Sequence, residues 1–329
     1  MNISADMRKF SAGKSGFMNF TENSDLRRRY CEQLETMNDR LREKNFAAQC
    51  ESYYQNQIAH TAQRLIQSGQ QIVLLSGPSA SGKTTTAQKL AQTLECRFDR
   101  RAHVISLDDF FVGKGNYPKL PDGREDFESV DALHLTLFQE TVDALLCQGR
   151  AMMPQFDFSA SVRKDGAYEL EVGKRDVVIF EGIHALNPRL MPADHGKDAY
   201  RVYVSPKCQI CRGDALFFPS RDLRLVRRMV RDRLFRGYSF SQTAKIWDNV
   251  CAGERKNIRP FSSTADSVID TTHGYEYGLY ANYLQDAVSD EDPIVRGMAE
   301  KIGQFVRISP SAVPSDSMIR EFIGKGESI

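Results

Sequence analysis

Two glycines four residues apart, preceded by an apolar run and followed by Lys-Thr-Thr, constrain this chain more than any other feature. The stretch reads IVLLSGPSASGKTT, Ile72 to Thr85. Within it, Gly77-Pro78-Ser79-Ala80-Ser81-Gly82-Lys83-Thr84 fits the pattern G-x-x-x-x-G-K-[ST]. The glycines let the backbone turn successive N–H groups inward around a polyphosphate. Lys83 then reaches the β and γ oxygens, and the Thr84 hydroxyl is placed to ligate Mg²⁺. A helix must follow, so that its N-terminus directs positive charge at the anion. Ala87, Leu90, Ala91 and Leu94 fall on one face of the next segment, as that helix requires. A strand–loop–helix of this kind predicts a nucleoside triphosphate held by Gly77, Ser79, Ala80, Ser81, Gly82, Lys83, Thr84 and Thr85.

The rest of the chain extends that unit into an α/β layered domain. Short apolar runs recur at QIVLLS (71–76), HVISL (103–107), DVVIF (176–180), YRVYVS (200–205) and DSVID (266–270). They are continuous rather than alternating, as in strands buried on both faces of a parallel sheet, with helical segments as crossovers. Residues 1–70 read as a polar, helical N-terminal arm. Leu26, Tyr30, Leu34, Met37 and Leu41 form an apolar stripe at steps of three and four, for packing on the next domain or for dimerisation. Residues 71–285 form the phosphate-binding domain. Residues 286–329 are a Pro- and Ser-punctuated helical appendix expected to fold back on it.

Bulk properties exclude several classes. Among 329 residues, 44 Lys and Arg nearly cancel 43 Asp and Glu, so no global charge draws the chain to nucleic acid or an acidic membrane. No apolar run is long enough to span a bilayer, and the first residues lack the apolar core of a secretory signal. Seven scattered cysteines read as reduced cytoplasmic thiols rather than a disulfide framework. Cys208 and Cys211 form one C-x-x-C pair, but zinc would need a second pair nearby.

Several acids and arginines are placed to use the phosphate. Asp108 and Asp109 of ISLDDFF fall at a strand's carboxyl end, where open α/β sheets place their ligand crevice. Asp108 suits the role of accepting an attacking hydroxyl's proton, with Asp109 supporting it. Glu181, closing VVIFE, is positioned for the Mg²⁺ shell, and His184 reads as a packing or polar contact. In SRDLRLVRRMVRDRLFRG, Arg224, Arg227, Arg228 and Arg231 lie within an arc of about 100°. Leu223, Val226, Val230 and Leu234 mark the opposite, core-facing side, and Gly237 ends the helix. Four aligned guanidiniums with only Asp232 beside them point to a lid (about 220–240) closing on a polyanion.

From Tyr53 to Gly324 the chain resembles the uridine kinase/phosphoribulokinase family of P-loop kinases, most nearly its bacterial uridine kinase-like branch. The resemblance rests on GPSASGKTT, SLDDFFV, DFESVDAL, MPQFDFSASVR, VVIFEGIHALNP, RLVRRMVRDRLFRGYS, GERKNI with the following AD, and VPSDSMIREFIG. It implies a five-stranded parallel sheet flanked by helices. It also implies Asp108 as catalytic base, with Lys83, Arg228 and Arg231 acting on the transferred group. Mg²⁺ would be held by Thr84, Glu181 and Asp108. Arg224 and Arg227 would join the nucleotide site, and Glu128 would hold ribose hydroxyls. Phe111, Phe156, Phe158 and Arg163 would surround the base, with Arg236 of the lid also binding the substrate. Phe156 and Phe158 also fit a strand's core face. Ser161, Phe111 and Glu128 stand where uridine–cytidine kinases commonly carry His, Tyr and Asp, and these departures touch base recognition. Residues 1–70 are too short for the threonyl-tRNA synthetase-like domain often found in that branch. The expected reaction is ATP-dependent phosphorylation of a ribonucleoside 5′-hydroxyl. The alternatives are a kinase for a sugar phosphate or another small alcohol, and a non-catalytic nucleotide-binding regulator. The expected partner is a small nucleoside, with no nucleic acid or membrane, and homo-oligomerisation is left open.

Overall fold

The computed structural model describes residues 29–191 and 199–324, so Leu26 of the predicted stripe lies outside the described residues. The first half of the chain gives β1 (Tyr30–Gln33), α1 (Leu34–Leu41), α2 (Phe46–Ser68), β2 (Ile72–Ser76), α3 (Lys83–Phe98), β3 (Ala102–Ser106), α4 (Leu135–Gln148), β4 (Arg150–Asp157) and β5 (Val162–Glu171). The second half gives β6 (Val177–Glu181), β7 (Ala199–Ser205), β8 (Cys208–Arg212), β9 (Ala215–Phe218), α5 (Ser220–Phe235), α6 (Phe240–Asn257), β10 (Ser267–Asp270), α7 (Glu276–Tyr280), α8 (Pro293–Ile302) and α9 (Arg320–Ile323).

Five strands form the central sheet in the order β10-β7-β2-β6-β3, and every pairing is parallel. These are the five apolar runs. β2 and β6 are buried at every position, which their uninterrupted Val, Ile, Leu and Phe content demands of strands covered on both faces. Successive side chains feed opposite cores: Val73 and Leu75 join the one packed by α2, α3 and α5, and Ile72 and Leu74 join the one packed by α4. The domain is therefore layered α/β/α, and its parallel strands bring their carboxyl ends to one edge.

Two smaller sheets flank it. β4 and β5 form an antiparallel hairpin, and β8 pairs antiparallel with β9 and parallel with β1. The last pairing corrects the predicted N-terminal helix. Tyr30 belongs to a strand, and the helix begins only at Leu34, with Leu34, Met37 and Leu41 buried as the stripe requires. The edge of β8 offers a hydrogen-bonding partner 180 residues away, and that tertiary pairing overrides the local helical period. The expectation of uniformly reduced thiols is corrected too. Cys31 and Cys211 are disulfide-bonded across this sheet, while Cys50, Cys96, Cys147, Cys208 and Cys251 are free.

Candidate active site

The phosphate loop leaves β2 under tight constraint. A Cβ at Gly77 would lie 2.2 Å from the Val204 carbonyl oxygen, so only glycine lets the chain turn beside β7. Gly82 has φ +86° and sits against the Met318 sulfur, which a Cβ would meet at 2.5 Å. From there α3 starts at Lys83. The Lys83 Nζ folds back over the loop and donates to the Pro78 carbonyl at 3.4 Å.

Two carboxylates face that lysine. Glu181 ends β6 level with Leu75 of β2 and Ser106 of β3, and accepts a hydrogen bond from the Thr84 hydroxyl at 2.9 Å. Asp108 follows β3 in a single 3₁₀ turn, Leu107–Phe110, whose start is fixed by the Asp108 amide donating to Ser106 Oγ at 3.2 Å. Asp108, Glu181, Lys83 and the loop residues Ser79 to Thr84 line one cavity of about 200 Å³, with Arg228, Arg231 and Arg236 on its far wall. Burial raises the Asp108 pKa, Lys83 opposes the rise, and Asp109 adds to it. Burial likewise raises Glu181, again opposed by Lys83, with Asp108 adding to the rise. Two carboxylates and a hydroxyl, all oxygen donors, fit a hard cation such as Mg²⁺. That ion keeps waters and takes only one or two carboxylates from the protein. Among the described residues no group of three or more His, Cys, Asp and Glu is placed to hold a metal ion. Asp109 points elsewhere and accepts the Phe156 amide at 3.1 Å, tying the β4–β5 hairpin to the 3₁₀ turn.

The arginines of α5 divide into two sets. Arg228 and Arg231 line the cavity, with Arg228 also donating to Ser79 Oγ at 2.9 Å. Arg224 and Arg227 do not line it. Arg227 is fully buried and forms a two-point pair with Glu276, both contacts at 2.7 Å, with further donation to the Thr271 and Ala80 carbonyls. Arg224 meets Glu254 at 2.6 Å and the Ser79 carbonyl at 3.1 Å. Their place relative to the triphosphate is thus corrected: both grip the outside of the phosphate loop. The repulsion expected of four guanidiniums is answered from within the chain by Glu254, Glu276 and Asp232. Leu234, expected to face the core, is exposed because the last turn of α5 projects beyond it.

On the other side of Asp108, aromatic rings gather. Phe111 lies edge-on to Phe156 at 5.7 Å and to Tyr117 at 6.0 Å, and Tyr117 meets Phe127 at 4.7 Å. Phe156 is buried in this cluster, whereas Phe158 is 64% exposed beside it. Arg163 spends its donors on the Phe111 carbonyl at 2.8 Å and on Asp165 at 2.5 Å, so it braces the cluster's edge. Burial pushes the Glu128 carboxyl up to about 7, with Arg228 and then Lys83 opposing the rise across the same space. Burial also pushes His184 down to about 4, a neutral packed imidazole.

One charged cavity residue was missed. Glu321 of α9 reaches the phosphate loop, where its Oε2 accepts from the Thr85 hydroxyl at 2.7 Å and the Thr85 amide at 3.3 Å. Thr85 was expected to bind nucleotide, and its donors here meet a carboxylate from the chain's own C-terminal segment. The motif VPSDSMIREFIG was the only sequence signal that pointed there.

Residues 72–212 match the profile of the phosphoribulokinase / uridine kinase family. A curated relative, the uridine kinase of Halobacterium salinarum, is 28% identical over 163 residues, covering 50% of this chain. The match spans 63% of that relative's length. Similar solved structures include a possible uridine kinase from Bacillus stearothermophilus (TM-score 0.41, 15% identity, 65% of this chain and 98% of that one). Another is a D-glycerate 3-kinase from Cryptococcus neoformans (TM-score 0.33, 16% identity, 83% of this chain and 89% of that one). Within the matched segment lie the phosphate loop, Asp108 and Glu181, the three features that meet in the cavity.

Proposed function

We propose that this chain is a kinase that transfers the γ-phosphoryl group of ATP to a hydroxyl of a small ribose-containing acceptor, foremost the 5′-hydroxyl of a pyrimidine ribonucleoside. One observation carries the reading: Lys83, Asp108 and the Thr84–Glu181 pair converge from three strand ends on a single cavity. Lys83 and the loop amides hold the triphosphate. Asp108 orients the acceptor hydroxyl and takes its proton as the new phosphorus–oxygen bond forms and the bond to the β-phosphate breaks. Arg228 and Arg231 offset charge developing on the equatorial oxygens. Mg²⁺, held by Thr84, Glu181 and Asp108, supplies further neutralisation of the phosphates when bound. Most of the acceleration in such chemistry comes from positioning and electrostatics.

The acceptor lies between Asp108 and the Phe111–Phe156 cluster, with Glu128 facing the ribose. The aromatic edges suit a planar base, and a carboxylate suits a diol. A panel of acceptors with labelled ATP tests this directly. Labelled product with uridine or cytidine is the expected result. Labelling of ribulose 5-phosphate or glycerate with no nucleoside turned over would replace the acceptor assignment while leaving the transfer chemistry. No transfer to any alcohol, with ATP still bound, would identify a nucleotide-binding regulator.

A further inference from the structure

A second cavity, of about 330 Å³, lies on the outer side of the phosphate loop, where Pro78 meets the ends of β7 and α6. Its wall is cationic. Lys207, just past β7, carries its ammonium 5.4 Å above the Tyr203 ring and is only 7% exposed. Arg259 beyond α6, Arg224 on α5 and Arg29 ahead of β1 line the same space. Among the described residues Glu254 is the one carboxylate in the lining, and Arg224 already holds it at 2.6 Å. Asp270 lies beneath Lys207, but its Oδ1 accepts the Lys207 backbone amide and Thr272, and its Oδ2 accepts Tyr30. Among the described residues Lys207, Arg29 and Arg259 therefore have no carboxylate within ion-pair distance. Burial pushes the Lys207 ammonium down to about 8, with Asp270 opposing and Arg29 adding to the fall.

The arginines of α5 meet their carboxylates inside the fold, and this group does not. Like charges gathered in a concave, partly desolvated space are costly unless an anion shares it. We propose that this cavity binds the phosphate group of a small organic phosphomonoester, of sugar-phosphate size, at a site separate from the phosphate loop. The volume exceeds what a bare phosphate fills, and Pro78, Pro206 and Tyr203 offer apolar wall for the ester's carbon skeleton. The cations gather around one half-open concavity rather than along a basic stripe of the surface, which disfavours a nucleic acid strand. Arg224 joins this site to the loop, since it also donates to the Ser79 carbonyl at 3.1 Å. An occupant that draws on Arg224 is thus felt at the nucleotide cradle.

The test is calorimetric titration of the full chain with a hexose 6-phosphate, a pentose 5-phosphate, a nucleoside monophosphate, inorganic phosphate and the unphosphorylated sugars. At least one ester is expected to bind and its unphosphorylated parent not. Arg259→Gln and Arg29→Gln, both at exposed positions, are each expected to weaken that binding about 10-fold or more, the worth of a charge-assisted hydrogen bond. Lys83→Ala, in the other cavity, is expected to leave it unchanged. The proposal is overturned if no ester binds, or if Lys83→Ala abolishes binding while the two arginine variants do not. It is equally overturned if inorganic phosphate binds as tightly as every ester, which is the signature of an adventitious ion only.

Discussion

Asp108 and Glu321 approach the same cavity from distant parts of the chain, and their charges act in opposite senses. Asp108 is held in place by its own turn, and burial raises its pKa so that it can accept a proton during transfer. Asp108→Asn is expected to lower the transfer rate by roughly 10²–10⁴-fold, the usual range for a positioned general base, with ATP affinity retained. In the wild type the rate should fall toward acid pH as this carboxylate protonates; unchanged turnover in the variant would refute the assignment. Glu321 instead presents a negative charge to donors that a phosphate would use. Glu321→Gln is expected to tighten nucleotide binding by about 10-fold, measured as a dissociation constant, because one charge-assisted contact no longer competes. Weaker binding would show that Glu321 assists the nucleotide. Glu128 adds a pH signature. Its carboxyl is raised from 4.5 to about 7, so the folded state binds more protons than the unfolded between those values. Stability therefore falls as pH rises through that window, and the full cost is present above it. Glu128→Gln should stabilise the fold relative to wild type at pH 8 and not at pH 4.5, read from urea midpoints. An equal difference at both would remove burial as the cause.

Helix α5 shows how one element serves two purposes on adjacent stripes. Arg227 and Arg224 are anchors, tied to Glu276 and Glu254 and to loop carbonyls, whereas Arg228 and Arg231 face the cavity. The stripes lie so close on the helix that periodicity merges them. Energetics separates them. Arg227→Met strands Glu276 as an unpaired buried carboxylate and is expected to cost about 3–5 kcal/mol in unfolding free energy. Arg231 pairs with its neighbour Asp232, which Arg228 and Arg236 also hold, so its loss leaves that carboxylate partnered. Arg231→Ala is expected to change stability by less than about 0.5 kcal/mol while lowering the rate of transfer. Comparing denaturant midpoints with rates for the two variants checks the division; equal destabilisation by both would contradict it.

At the scale of the whole molecule, the C-terminal segment completes the fold. Met318, Ile319 and Phe322 are buried against the phosphate-loop layer, and Phe322 lies beneath the Arg227 guanidinium at 5.1 Å. Deleting residues 304–329 would expose that layer. Since losing one large buried side chain costs about 2–5 kcal/mol, the truncated chain is expected not to unfold cooperatively, as followed by circular dichroism in urea. A sharp, wild-type-like transition would show that the remaining domain stands alone. The sequence by itself determined the five sheet strands, the loop between β2 and α3 and the placing of Asp108 and Glu181 at strand ends. Each rests on a period or a backbone requirement expressed within a few neighbouring residues. The tertiary structure alone decided what meets those elements. Arg227 finds Glu276 across 49 residues, Cys31 finds Cys211 across 180, and Thr85 finds Glu321 across 236. No local period encodes such partners, because they are brought together only when the whole chain has closed on its core.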